Sequence, residues 1–196
     1  MIKIFYCNSK DQEIPDNISE YRSNKILRAK TEAQRLQMIN AAKCLKAGFA
    51  DLGISEKDVV YAHNDHGKPY AQNHPTIHFS ITHTNNISIC AFCDNEIGID
   101  CEISQRHIDH KILMRYFSKD ECDEFSAAPL LLWVSKEAIA KYDGKGLALT
   151  KKAFDITMYE NELELNGIYL MRLEIPDTVT IVCAERKSEC SLIKVT

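Results

Sequence analysis

The sequence predicts an α+β fold of two similar halves, each a small antiparallel sheet packed against a long helix. Three observations predict it. Short stretches with apolar residues at every second position, the pattern of half-buried strands, fall at 2–6, 77–82, 87–92, 97–103 and in several pieces after 154. Two longer stretches read as helices: 31–52, with apolar residues three and four apart on one face, and 129–142, with Pro129 in its first turn. The order is strand, helix, strands, helices, strands, unlike the steady alternation behind a parallel α/β sheet.

The opening run Met1-Ile2-Lys3-Ile4-Phe5-Tyr6 alternates like a strand. Thr31-Glu32-Ala33-Gln34 has the form of a capping box, in which the Thr hydroxyl and Gln amide satisfy the first free backbone N–H groups. The helix it starts carries Leu36, Ile39, Ala42, Leu45, Phe49 and Leu52 on one face and stops at Gly53. A short strand at 59–62 and a turn-rich stretch through His66-Gly67-Lys68-Pro69-Tyr70 follow. The strands 77–82, 87–92 and 97–103 are joined by Thr84-Asn85-Asn86 and Asp94-Asn95-Glu96, as in an antiparallel meander. Ser118-Lys119-Asp120-Glu121 is a second capping box, and Pro129 suits the first turn of a helix reaching about Tyr142, with Gly144 and Gly146 ending it. Further strands are expected at 154–159, 162–165, 169–175 and 179–184. A seam near 103–107 divides the chain into halves 1–103 and 104–196.

A length of 196 residues suits one compact domain or two small halves sharing a core, so a monomer is expected. No run is long enough to span a membrane, and the N-terminus lacks the apolar stretch of a signal peptide. A cytoplasmic protein is therefore expected, with its eight cysteines as reduced thiols. Cys90 and Cys93 are C-x-x-C in spacing, but an odd separation along a strand sends them to opposite faces, which argues against a shared metal or a redox pair. A net charge of -4 argues against nucleic acid as the main partner. Basic residues nevertheless crowd the N-terminal quarter, with Arg22, Lys25, Arg28, Lys30 and Arg35 close together. That stretch is either a solvated helix face or a receiver of an anion.

In the 97–103 run, Ile97, Ile99, Cys101 and Ile103 face one way, and Asp100 and Glu102 face the other beside Gly98. Two acids on one face repel unless a cation lies between them. They form either a solvated polar face or a site for Mg²⁺, which takes one or two carboxylates and fills its shell with water and phosphate oxygens. On the second helix, Trp133, Glu137 and Lys141 lie along one stripe, with Lys136 beside it. Glu137 and Lys141 make either a helix salt bridge worth roughly 0.3–0.5 kcal/mol or part of a site holding a metal and phosphate oxygens. His63, His66, His74, His78 and His83 gather upstream, but their spacing fits zinc poorly and no cysteine pair matches them. At a strand end, His83 suits an anion contact or an ordinary surface position.

In order, Gly67-Lys68-Pro69, His78-Phe79-Ser80-Ile81-Thr82-His83-Thr84, Ile97-Gly98-Ile99-Asp100-Cys101-Glu102, Arg115-Tyr116-Phe117-Ser118-Lys119-Asp120-Glu121 and Trp133-Val134-Ser135-Lys136-Glu137-Ala138-Ile139-Ala140-Lys141 resemble the 4′-phosphopantetheinyl transferases. The two-half layout resembles the surfactin-synthetase-activating type. The resemblance implies Mg²⁺-dependent transfer of the phosphopantetheine arm of coenzyme A to a serine of an apo acyl or peptidyl carrier protein, releasing adenosine 3′,5′-bisphosphate. It implies that Asp100, Glu102 and Glu137 bind the metal, and that Glu137 is a candidate base for the carrier serine. Lys136 and Lys141 would hold phosphate oxygens, and Thr82 and His83 would contact the diphosphate and the 3′-phosphate side. Gly67, Lys68 and Pro69 would frame the adenine, with Arg22 and Lys25 as basic contacts. The motif that usually reads Phe-Asn-x-Ser-His-Ser has Ser80, Thr82 and Thr84 at its varied positions here, which keeps hydroxyl donors. A different class of function, a non-catalytic module that binds coenzyme A or a carrier protein, has no need of Asp100, Glu102, Glu137 and Lys141 together.

Overall fold

A computed structural model describes residues 1–147, 157–159, 162–165 and 167–196. The first sheet holds β1 (Ile2–Cys7), β4 (His78–Thr84), β5 (Ile87–Cys93) and β11 (Cys190–Lys194), in the order β11-β1-β5-β4. The second holds β6 (Ile97–Ile103), β7 (Thr157–Tyr159), β8 (Glu162–Leu165), β9 (Ile168–Leu173) and β10 (Thr178–Ala184), in the order β6-β10-β9-β8-β7. A separate hairpin pairs β2 (Tyr61–His63) with β3 (Pro69–Ala71). The first part of the strand expected at 154–159 lies outside the described residues.

Two long helices cover the outer faces of the sheets. α2 (Glu32–Asp51) lies on the first, burying Leu45 and Phe49 with Phe5, Phe79, Cys90 and Phe92. α5 (Pro129–Asp143) lies on the second, burying Leu132, Ala138 and Ile139 with Leu170, Ile181 and Cys183. Between the sheets, Ile2, Ile4, Ile89 and Ala91 meet Ile97, Ile99, Cys101 and Val182. The result is helix, sheet, sheet, helix, with both inner faces of the sheets apolar. Cys90 faces α2 while Cys93 packs at the sheet–sheet core, the opposite-face arrangement their odd spacing requires. No helix among the described residues is long and apolar enough to cross a membrane.

The expected meander stops one strand early. β4 and β5 pair antiparallel, but β6 does not continue from β5. Both edges of β5 are already filled, one by β4 and the other by β1. β6 therefore leaves the first sheet and pairs along its whole length with β10, from Ile97↔Ala184 to Ile103↔Thr178. Sheet membership thus crosses the seam expected near 103–107. β6 precedes it yet belongs to the second sheet, and β11 follows it yet lies parallel to β1 in the first.

Three elements have no strong sequence signal: α1 (Glu20–Leu27), α3 (His110–Tyr116) and β11. α1 buries only Arg22 and Ile26, so it shows no apolar stripe. Thr31 caps α2 by accepting from Gln34 N at 3.1 Å, but the Gln34 amide oxygen reaches Lys30 N, one residue short of a full capping box. Ser118 and Glu121 form the complete box ahead of α4 (Lys119–Glu124).

Candidate functional site

Gly98 fixes where β6 and α5 meet. A Cβ there would lie 2.0 Å from Ala138 O and 2.4 Å from Tyr142 N, so only glycine admits so close a helix. The same face of β6 carries Asp100 and Glu102 two and four residues on, which brings Asp100 against the Glu137 and Lys141 stripe of α5.

The other edge of β6 meets β4 through side chains instead of a backbone ladder. Ser80 Oγ accepts from Ile99 N at 3.1 Å and Thr82 Oγ1 accepts from Cys101 N at 3.2 Å. Thr82 Oγ1 donates to Asp100 Oδ1 at 2.9 Å, and Thr84 Oγ1 donates to Glu102 Oε2 at 3.0 Å. Each acid also has a cation. Lys141 Nζ lies 2.7 Å from Asp100 Oδ1, and the Arg106 guanidinium pairs with Glu102. Asp100 is buried, whereas Glu102 is half-buried near the rim. These contacts offset the cost of placing two carboxylates side by side.

Glu137, on α5, feels the Asp100 charge across the helix–strand contact. Burial, and then the Asp100 charge, push its carboxyl above the ordinary range, while Lys141 and Arg106 pull the other way. His83, at the outer face of β4, is drawn down by burial and by Lys141 and raised by a hydrogen bond of its own backbone and by Asp100. Asp100, Glu137, Lys141 and His83 therefore share one electrostatic neighbourhood.

A cleft of about 230 Å³ adjoins it, lined by Gly67, Lys68 and Pro69 of the hairpin turn, Phe79 and Ile81 of β4, and Glu137, Lys141 and Gly144 at the end of α5. Asn64 ties the turn to the helix: its Nδ2 donates to Gly144 O at 2.8 Å, and its Oδ1 accepts from His66 N and Lys68 N. Lys68 does the same with charge, bonding Tyr142 O at 3.0 Å and Glu96 at 2.6 Å. A cation on the last carbonyls also suits the negative end of the α5 dipole.

The predicted residues separate into three groups. Gly67, Lys68, Pro69, Glu137 and Lys141 line the cleft; Asp100, Thr82 and His83 adjoin it around Lys141, and Glu102 lies two residues further along β6. Arg22 and Lys25 stand on α1, where Arg22 lies 4.7 Å from the Tyr61 ring centroid and Lys25 lies 5.4 Å from that of Tyr21. Their charges lower the pKa of His63, after burial, and His63 Nε2 meets Tyr21 Oη at 3.0 Å. Lys136 is withheld from the cleft, contrary to the role expected of it. It is 2% exposed and paired with buried Glu121, because its position on α5 points toward α4 and not toward β6. Sequence reasoning missed Asn64 and Arg106. Asn64 had a usable signal, an Asx residue opening the Asn-Asp-His-Gly turn; Arg106 had none beyond its spacing of four from Glu102.

Among the described residues, no group of three or more His, Cys, Asp or Glu side chains is gathered as a ligand set for a metal ion. Two carboxylates on one strand are still the donor set Mg²⁺ prefers when phosphate and water supply the other oxygens. The residues present fit such an ion.

Residues 96–182 match the model of the 4′-phosphopantetheinyl transferase superfamily, a span that contains β6, α5 and both acids. The chain is similar to "4′-phosphopantetheinyl transferase Sfp" of Bacillus subtilis (strain 168), 30% identical over 133 residues, 64% of this chain and 56% of that protein. It is similar to "4′-phosphopantetheinyl transferase ffp" of Bacillus subtilis, 32% identical over 116 residues, 55% of this chain and 51% of that protein. It is also similar to "4′-phosphopantetheinyl transferase gsp" of Aneurinibacillus migulanus, 30% identical over 137 residues, 65% of this chain and 55% of that protein. The chain spans about half the length of the curated relatives it matches.

Proposed function

We propose that this chain, which matches the 4′-phosphopantetheinyl transferase superfamily over residues 96–182 and is similar to Sfp-like proteins, is a member of that family and transfers the phosphopantetheine arm of coenzyme A to a serine of an apo carrier protein. The observation that carries the proposal is the meeting of Asp100 and Glu102 with Glu137 and Lys141 beside the cleft framed by Gly67, Lys68 and Pro69. A binding module would gain nothing from so costly a concentration of acids.

In this reading Asp100 and Glu102, with Glu137 beside them, hold Mg²⁺. When bound, the ion supplies charge neutralisation at the pyrophosphate oxygens. Lys141 leaves Asp100 for the phosphate oxygens and stabilises charge that grows as the reaction proceeds. The carrier serine oxygen forms a bond to the phosphorus that bears pantetheine, and the bond from that phosphorus to the bridging oxygen breaks. Adenosine 3′,5′-bisphosphate leaves with the bridging oxygen and its electron pair. The serine proton passes to Glu137, whose raised pKa makes it a better base than an ordinary carboxylate. The hairpin turn holds the nucleotide end, and Arg22 and Lys25 add positive charge near it. Such a reaction needs alignment and neutralisation more than covalent help, which suits residues fixed on a strand and a helix.

Incubating the protein with coenzyme A, Mg²⁺ and a panel of apo carrier proteins, read by intact mass, tests the proposal. At least one carrier should gain the phosphopantetheine mass. Asp100→Ala should reduce transfer by at least about a hundredfold while the far-ultraviolet spectrum stays native. Near-normal turnover by that variant at saturating Mg²⁺ would remove Asp100 from the site.

A further inference from the structure

The two acids of β6 are held in parallel but not equivalent ways. Asp100 has the Thr82 hydroxyl and Lys141, and Glu102 has the Thr84 hydroxyl and Arg106. The hydroxyls come from β4, a strand whose backbone is fixed by β5. The cations come from more exposed side chains: Lys141 is 31% exposed against 9% for its acid, and Arg106 41% against 16%. A partly exposed ion pair contributes little and is easily exchanged.

Arg106 has a second partner besides Glu102. It follows β6 in a tight turn, with its N–H bonded to Ile103 O at 2.9 Å, and its guanidinium lies 5.7 Å from the Trp133 ring centroid. A guanidinium over an indole face is an attractive contact in its own right. Trp133 sits on the Glu137 and Lys141 stripe of α5, packed edge-on against Tyr116 and Phe117. Glu102 and Trp133 thus flank one arginine.

We propose that Arg106 is the resident counter-cation of Glu102, holding that carboxylate while no divalent cation is bound and yielding it when one binds, while Trp133, already under the guanidinium, keeps the arginine beside the site. The inference rests on the proposed divalent-cation site and adds a competitor to it. A divalent ion on Glu102 competes for the charge that Arg106 now holds and repels the guanidinium, so its binding favours withdrawal of Arg106. Thr84 keeps Glu102 aimed during the exchange, because its hydroxyl bonds the other carboxylate oxygen. Arg106 thereby acts as a positioning residue that sets metal affinity and touches no substrate.

Trp133 is the sole tryptophan of the chain, so its emission reports on the arginine beside it. Mn²⁺ binding to the full chain, with coenzyme A present, is measured by calorimetry, and Trp133 emission is followed as Mg²⁺ is added. The native protein should change emission as Mg²⁺ binds. Arg106→Gln should bind Mn²⁺ about two- to fivefold more tightly, the span of a partly exposed ion pair, and should lose the emission change. Lys111→Gln, which removes a cation from neighbouring α3, should alter neither reading. Equal affinity in Arg106→Gln and the native protein, an emission change that persists in Arg106→Gln, or an equal gain in Lys111→Gln would overturn the inference alone. Failure of both the native protein and Arg106→Gln to bind Mn²⁺ would overturn the metal site and the inference with it.

Discussion

α2 covers the first sheet with Cys44, Leu45 and Phe49, set against the rings of Phe79 and Phe92, whereas α5 buries a lysine and lies across a strand bearing Asp100. Both helices bury a polar side chain, but of different kinds. On α2, Asn40 is neutral; it donates to Ser9 O and Asn86 O and accepts from Cys7 Sγ. On α5, Lys136 is charged and pairs with Glu121. The α2 layer is apolar around neutral polar ties. The α5 layer, beside the candidate site, is supported from behind by a buried ion pair.

The largest expected effect tests that difference. Lys136→Ala leaves the Glu121 carboxylate buried without its cation and should cost about 3–5 kcal/mol of stability. Asn40→Ala should cost only about 1–3 kcal/mol, the penalty of unpaired neutral groups. Denaturant unfolding of both variants checks the order. Pairing Lys136→Met with Glu121→Gln should recover most of the loss, since a neutral pair removes the uncompensated charge while Gln can still cap Ser118. Equal losses from Lys136→Ala and Asn40→Ala would erase the contrast between the layers.

Each layer also closes on one glycine, and these rank next. An added Cβ at Gly98 meets backbone of α5 at 2.0 and 2.4 Å, which can yield only if the helix moves away. At Gly48 it meets the Phe92 ring at 2.1 Å, a side chain that can turn. Gly98→Ala should therefore cost about 3 kcal/mol, the upper part of the overpacking range. It should also lower transfer, because α5 carries Glu137 and Lys141. Gly48→Ala should cost about 1–2 kcal/mol, part of its clash being offset by the better helix propensity of alanine. Unfolding midpoints together with a transfer assay separate the two; a Gly98→Ala variant with native stability would mean that β6 and α5 do not pack this closely.

The smallest effect concerns pH. The Glu137 carboxyl has a folded pKa above its ordinary 4.5, so between those two values the folded protein holds a proton that the unfolded chain has released. Stability from this group is therefore undiminished below the unfolded pKa and falls as pH rises through the folded one. Glu137→Gln should stabilise the protein slightly at about pH 8 and make no difference at about pH 4. Urea midpoints at both pH values, beside coenzyme A binding and transfer, provide the check. Transfer lost with binding kept makes Glu137 the base, and loss of both makes it chiefly a metal ligand.

Much of the site was legible because it obeys local periodicity. Asp100 and Glu102 share a face because a strand alternates, and Glu137 and Lys141 share a stripe because a helix turns every 3.6 residues. Lys136 was not legible for the same reason in reverse. It is adjacent to Glu137 in sequence, but a step of about 100° around the helix turns it to Glu121 and away from the cleft. The meander failed at β6 because strand pairing depends on which edges remain open, and β1 had already taken the free edge of β5.

By itself, the sequence determined the strands and helices that carry the candidate site, the face each acid occupies, and the opposite-facing thiols of Cys90 and Cys93. These follow from backbone geometry over a few residues, which every local stretch carries with it. Only the tertiary structure decided that β6 joins the second sheet, that β11 returns to β1, and that Thr82, Thr84, Lys141 and Arg106 converge on two carboxylates. Those outcomes join residues far apart in the chain. They are set by open strand edges, by the space a glycine leaves, and by the need of each buried charge for a partner.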